Sequence, residues 1–148
     1  LASLVVLLIL LLDLRRIRDG LLVVFPLLVG MLLFVALMWA TGQQLNLFNI
    51  IVVPSIIGIG IDNSVHIYHR YRGGGRGSVL KAMVGTGVAA LLASLTTAVG
   101  FGSSLISHVS GLRSMGILAM TGIGATFVAA VIFFPCLLAL IDKVRSRT

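Results

Sequence analysis

Apolar residues in this chain gather into long runs separated by short polar breaks. A helix that crosses the hydrocarbon core of a bilayer needs about 20 mostly apolar residues. Runs of this kind cover residues 21–40, 47–69, 82–107 and 114–141, and a shorter one covers 1–12. The pattern predicts five transmembrane helices, the first of them truncated. The breaks are short. Residues 13–20 are basic, 41–46 polar and uncharged, 70–81 basic and glycine-rich, 108–113 mostly neutral, and 143–148 a basic tail. Asn46 is placed to cap the third helix. Pro26, Pro54 and Pro135 each remove a backbone donor and can kink their helices, which neighbours tolerate inside a membrane.

Composition supports this reading. Of 148 residues, 59% are hydrophobic and 10% charged, and mean hydropathy is +1.17. A soluble domain carries roughly 25% charged residues, so a soluble enzyme, a disulfide scaffold and a disordered tail are all excluded. Eleven Lys and Arg stand against four Asp, a net +7. The basic residues sit in clusters between apolar runs, which suits anionic lipid headgroups and argues against nucleic acid. Cys136 is the single cysteine and reads as a small packing residue. No spacing of Cys, His and carboxylates suits a metal, and the glycine run 73–77 lacks the pattern of a phosphate loop. No cofactor is implied.

The charges also orient the chain. Arg15, Arg16, Arg18, Arg70, Arg72, Arg76, Lys81, Lys143, Arg145 and Arg147 fall on one side of the predicted spans, and Arg113 alone on the other. By the positive-inside rule, the ten-residue side and the C-terminus are cytoplasmic. The chain opens with Leu-Ala-Ser inside an apolar run and shows no signal-cleavage pattern. We therefore expect a fragment of a longer protein that entered the membrane from the outer side. Trp39 reads as an interfacial anchor, and His108 as a solvated group at the outer end.

In the fourth predicted helix, 16 of the 26 positions in 82–107 are Gly, Ala, Ser or Thr. Small residues let helix backbones approach, so this helix is expected in the middle of a bundle. Gly116, Gly122 and Gly124 suggest close packing for the fifth.

Three acidic residues, Asp13, Asp19 and Asp142, lie at span ends beside Arg or Lys. Asp62 does not. Counted from residue 47, it lies fifteen residues into its helix, about 22 Å at about 1.5 Å per residue. A charge at that depth costs at least about 2.5–3.5 kcal/mol, and is a candidate functional group by default. Hydrocarbon favours the neutral acid, which suits a group that takes up and releases a proton. Gly58, Asp62, His66 and His69 share one side of the helix. Gly58 and Gly60 allow another helix close to the carboxylate, and Asn63 and Ser64 add hydrogen-bonding groups. His66 could extend a proton path toward the cytoplasm. Ser94, Thr96 and Thr97 lie at comparable depth on the next helix. Their hydroxyls either meet Asp62 or water beside it, or bond to their own backbone.

The segment Gly58-Ile-Gly-Ile-Asp62-Asn63-Ser-Val-His66-Ile-Tyr-His-Arg70-Tyr-Arg72 resembles the fourth or tenth transmembrane helix of the resistance-nodulation-division (RND) superfamily. The resemblance is closest to the mycobacterial membrane protein large (MMPL) type and related lipid exporters. Residues 93–101, Ala-Ser-Leu-Thr-Thr-Ala-Val-Gly100-Phe, resemble the next helix of that family, and Gly111-Leu-Arg-Ser-Met-Gly116 the start of the last helix in a half. The resemblance implies an all-α fold: helices two to six of one six-helix half, with the C-terminal half (helices 8–12) favoured by the basic end. It implies a multi-pass protein of the bacterial inner membrane that exports lipids or other hydrophobic compounds on proton-motive force. Its partners would be membrane lipids, the hydrophobic substrate, and the other half and periplasmic domains of the same transporter. Self-association is compatible with it. Carried over, Asp62 is the proton carrier, Thr96 and Thr97 its polar partners, and Gly100 a packing position. Many members carry Tyr or a second Asp where this chain has Asn63, which cannot take up a proton. Two other classes share this helical core. One is a sterol-sensing-like lipid-binding or regulatory module, and the other an accessory subunit of protein translocation. Neither alternative is an enzyme, nor is the exporter.

Overall fold

The computed structural model describes residues 17–74 and 79–145. The expected span 1–12 lies outside the described residues. Four helical rods occupy the rest. The first is α1, Ile17–Thr41, and the second α2, Val52–Gly74. The third rod begins with the short α3, Val79–Ala82. It continues through a π turn, Met83–Gly87, α4, Val88–Gly102, and a 3₁₀ turn, Ser103–Ile106. The fourth joins α5, Ser110–Val128, a π turn, Ala129–Phe133, and α6, Phe134–Arg145.

Among the described residues, three stretches are long and apolar enough to cross a membrane: Asp19–Thr41, Val79–Ile106 and Ser110–Lys143. The 23-residue α2 is long enough, but Asp62, His66, His69, Arg70 and Arg72 lower its apolar content.

The rods run up, down, up and down. At one end, Arg72 Nη1 donates to Asp19 Oδ2 at 2.6 Å, and the Tyr71 hydroxyl donates to the Asp142 carboxylate. These contacts join the start of α1 to the ends of α2 and α6. At the opposite end, Ser114 Oγ accepts from Asn46 Nδ2 at 3.1 Å and from Asn49 Nδ2 at 2.9 Å. Arg70, Arg72, Lys81 and Lys143 therefore lie toward one end of the bundle, and Arg113 at the other, as the charge pattern predicts.

Local chemistry explains where the helices stop and start. Gly42 adopts φ +66° after α1. Gln43 N donates to Met38 O at 3.0 Å and Gly42 N to Trp39 O at 3.2 Å. This is a Schellman closure, which glycine makes without strain. The next helix begins later than its apolar run: at Val52, not at residue 47. Asn46 Oδ1 accepts from Phe48 N at 3.0 Å and Asn49 N at 2.9 Å, while Asn49 Oδ1 accepts from Asn46 N at 2.8 Å. The two asparagines spend their caps on a turn that precedes the helix. Pro54 consequently falls in the first turn of α2, where a missing N–H costs nothing and makes no kink. Pro135 follows a π turn instead. Such wide turns absorb the clash between a proline ring and the carbonyl four residues back.

The packing also departs from expectation. The rod rich in small residues is not the centre of this chain; α5 is, touching α1, α2 and α4. Small residues on α4 face outward: Ala89, Ala93, Thr96 and Gly100 are exposed. Those on α5 and its neighbours face inward. A Cβ at Gly30 would stand 2.8 Å from Thr126 Cα, one at Gly60 2.9 Å from Leu27 Cδ1, and one at Gly122 2.2 Å from Ile56 Cδ1. Above and below this seam lie two apolar clusters. One gathers Val23, Ile61, Ile67, Tyr68 and Phe134 toward the basic end. The other gathers Phe34, Val52, Ile56, Leu118 and Ile123 toward the opposite end. Cys136, expected as a packing residue, is exposed on α6.

Candidate intramembrane site

Asp62 is the eleventh of the 23 residues of α2, close to its middle. The late helix start brings it to about 15 Å from the end of the helix. The buried positions of α2 include Ile56, Gly60, Asn63, Ser64 and Ile67. The opposite side carries Asp62 and His66, one turn apart. His66 Nε2 lies 3.2 Å from Asp62 Oδ1, and both side chains are about two-thirds exposed within this chain. Arg70 continues the ladder one turn further on.

This ladder forms one wall of a cavity of about 440 Å³. The other wall is small and neutral: Gly85 and Thr86 from the π turn, then Ala89, Ala90 and Ala93 from α4. The cavity has one carboxylate, one imidazole and one guanidinium on one helix, facing a wall that leaves them room for water or a partner.

The remaining predicted residues take separate places. Asn63 points inward, and its Nδ2 donates to Ser94 Oγ at 3.2 Å in a buried contact between α2 and α4. Ser64 Oγ donates to Gly60 O at 3.0 Å. The Thr96 and Thr97 hydroxyls donate to Leu92 O at 2.6 Å and Ala93 O at 2.9 Å, their own helix's carbonyls. Gly60 packs against α1 and α5, on the side away from Asp62, whereas Gly58 and Gly100 meet nothing within 4 Å. His69 and His108 are exposed. Sequence reading overlooked Thr86 and Arg70 as neighbours of the carboxylate. Arg70 carries the readable signal, standing at i+8 from Asp62. Among the described residues, no three His, Cys, Asp or Glu side chains gather into a metal-binding group.

A helical bundle with exposed apolar flanks, three of whose stretches are long and apolar enough to cross a membrane, defines a polytopic membrane domain, and the acid and imidazole of α2 pair on its exposed side. The family described as the sterol-sensing domain of SREBP cleavage-activation matches residues 15–148, and the chain belongs to it. The chain is 34% identical over 125 residues to the hopanoid transporter HpnN of Burkholderia multivorans. It is 31% identical over 125 residues to HpnN of Rhodopseudomonas palustris. Both matches cover 84% of this chain, and the chain spans only 14% of the length of either transporter. A putative membrane protein of Methanocaldococcus jannaschii, MJ1562, is 24% identical over 144 residues, which cover 93% of this chain and 37% of that protein. No solved structure matches the chain. These relatives bear out the resemblance to RND-type, MMPL-like membrane domains.

Proposed function

We propose that this chain is part of the transmembrane domain of an RND-type exporter of lipids or other hydrophobic compounds, driven by proton flux through Asp62. The observation that carries the reading is the Asp62–His66 pair, 3.2 Å apart near the middle of α2, turned toward a cavity rather than into the packed seam. An unpaired charge there is costly, and its pairing with an imidazole suits proton exchange. In this mechanism Asp62 takes the proton and His66 passes it along the Arg70 side toward the basic end. Asn63 holds α2 against α4 through Ser94, so that the carboxylate keeps its place while its charge changes. Thr96 and Thr97 line the same rod at greater distance along the chain, and would join the path only on releasing their backbone bonds. The basic end faces the cytoplasm of a bacterial inner membrane. The other half of the transporter covers the small-residue face of α4 and completes the site.

The test is Asp62→Asn in the full-length protein. Lipid export is expected to be abolished, while membrane fractionation shows normal insertion. Export at the normal rate would end the proton-carrier reading. The family match favours a second reading, a sterol-sensing-like module that binds lipid without pumping it. In that case Asp62→Asn leaves lipid binding intact, and the unmodified protein takes up no protons.

A further inference from the structure

The π turn at Met83–Gly87 sits on the wall facing Asp62, and it changes the chemistry of one threonine. Of the six threonines among the described residues, Thr41, Thr96, Thr97, Thr121 and Thr126 donate their hydroxyls to a carbonyl three or four residues back. This is ordinary helical behaviour, and it spends the donor. Thr86 makes no such bond, nor any other among the described residues. It lies inside the π turn, where backbone bonding runs over five residues and the α-helical carbonyl position is lost. Thr86 is half-buried and lines the cavity shared by Asp62, His66 and Arg70. The rod that carries it is apolar enough to span a membrane. A hydroxyl without a partner in that setting is unfavourable, so the cavity must supply one.

We infer that Thr86 is a positioning residue of the proton site: its hydroxyl holds a water molecule against the Asp62–His66 pair, and the π turn exists to free it. The inference rests on the proposed proton-carrier role of Asp62. It replaces neither Asp62 nor His66; it adds the donor and acceptor that hold the water through which they exchange a proton. The cavity's charged and titratable groups, Asp62, His66 and Arg70, all come from α2. The facing π turn and α4 contribute only glycine, alanine and Thr86, so no other charge on that wall competes for the water.

The test uses the full-length protein in liposomes with a pH-sensitive dye inside. Proton uptake is followed after an imposed pH step, over a range of external pH. Thr86→Val keeps the shape and branching but removes the hydroxyl. Uptake should fall about ten- to a hundredfold, the value of one hydrogen bond to a charged group, with its pH profile displaced. Thr86→Ser keeps the hydroxyl and should restore rate and profile, whereas Thr41→Val, exposed at the end of α1 and bonded to its own helix, should leave both unchanged. Normal uptake by Thr86→Val would overturn the inference, as would Thr86→Ser failing with Thr86→Val. Asp62→Asn in the same assay separates the two levels. If it takes up protons normally, the carrier reading falls. If it is dead while Thr86→Val is normal, only the role of Thr86 falls.

Discussion

Gly122→Ala tests the seam that holds α2 in place behind the site. The new Cβ would stand 2.2 Å from Ile56 Cδ1, 2.9 Å from Cγ1 and 3.2 Å from Cγ2. Carbon atoms in good contact lie about 3.5–4.0 Å apart, so the closest pair must separate by more than about 1 Å. Ile56 is fully buried. Overpacking of this kind costs about 1–3 kcal/mol. Ile56→Val removes the worst contact and by itself costs about 0.5–1.5 kcal/mol. The double variant should therefore be less destabilised than the sum of the two, by about 1 kcal/mol. Equilibrium unfolding of the full-length protein in a mixed-detergent series measures all three. Gly124→Ala, two residues along the same helix, meets nothing within 4 Å and is the control. It should change stability by no more than about 0.5 kcal/mol. A Gly122→Ala protein as stable as the parent, or strict additivity in the double variant, would refute the packing argument.

Two further outcomes follow from the ends of the bundle. Asn49 is buried and bonds Gln44 O, Ser114 Oγ and Asn46 N. Asn49→Ala should cost about 2–3 kcal/mol in the same unfolding series, because partners are left unsatisfied; a loss below about 0.5 kcal/mol would contradict it. The Asp19–Arg72 pair is close, but Arg72 is half exposed. A double-mutant cycle of Asp19→Asn and Arg72→Gln should give a coupling of at most about 1 kcal/mol, and a value above about 2 kcal/mol would show a buried, structural pair.

Much of the fold is legible in the run lengths and charges. Helices at 21–40, 82–107 and 114–141 follow from unbroken apolar stretches, and the ends from ten basic residues against one. The late start of α2 is not legible that way. Leu47, Phe48, Ile50 and Ile51 are as apolar as any spanning residue. Their backbone is claimed by the reciprocal caps of Asn46 and Asn49, and local hydrogen bonds outrank hydropathy there. The position of the small-residue rod fails for a different reason. Counting Gly, Ala, Ser and Thr measures how closely a helix can be approached, but not by what. Gly122 and Gly60 are met by Ile56 and Leu27 of this chain, while Gly100 is met by nothing in it.

The same distinction governs the site. Four consecutive residues, Ile61 to Ser64, divide between two environments: Ile61, Asn63 and Ser64 are buried, and Asp62 is exposed. Hydropathy alone ranks three of them as polar and cannot say which faces inward. The partners decide. Asn63 finds Ser94 and Ser64 finds Gly60 O, so each can be buried with its hydrogen bonds made. No side chain of α1 or α5 offers Asp62 such a partner, and the carboxylate turns with His66 to the side where this chain ends its own packing. An exposed carboxylate is unremarkable in water and expensive in lipid. The flat wall of Gly85, Ala89 and Ala93 beside it is suited to close approach by another helix. The chain spans 14% of the length of the hopanoid transporter it resembles. The charge and the small-residue face thus make one argument: the carboxylate is costly where this chain leaves it, and a partner surface packed on the small residues would relieve that cost.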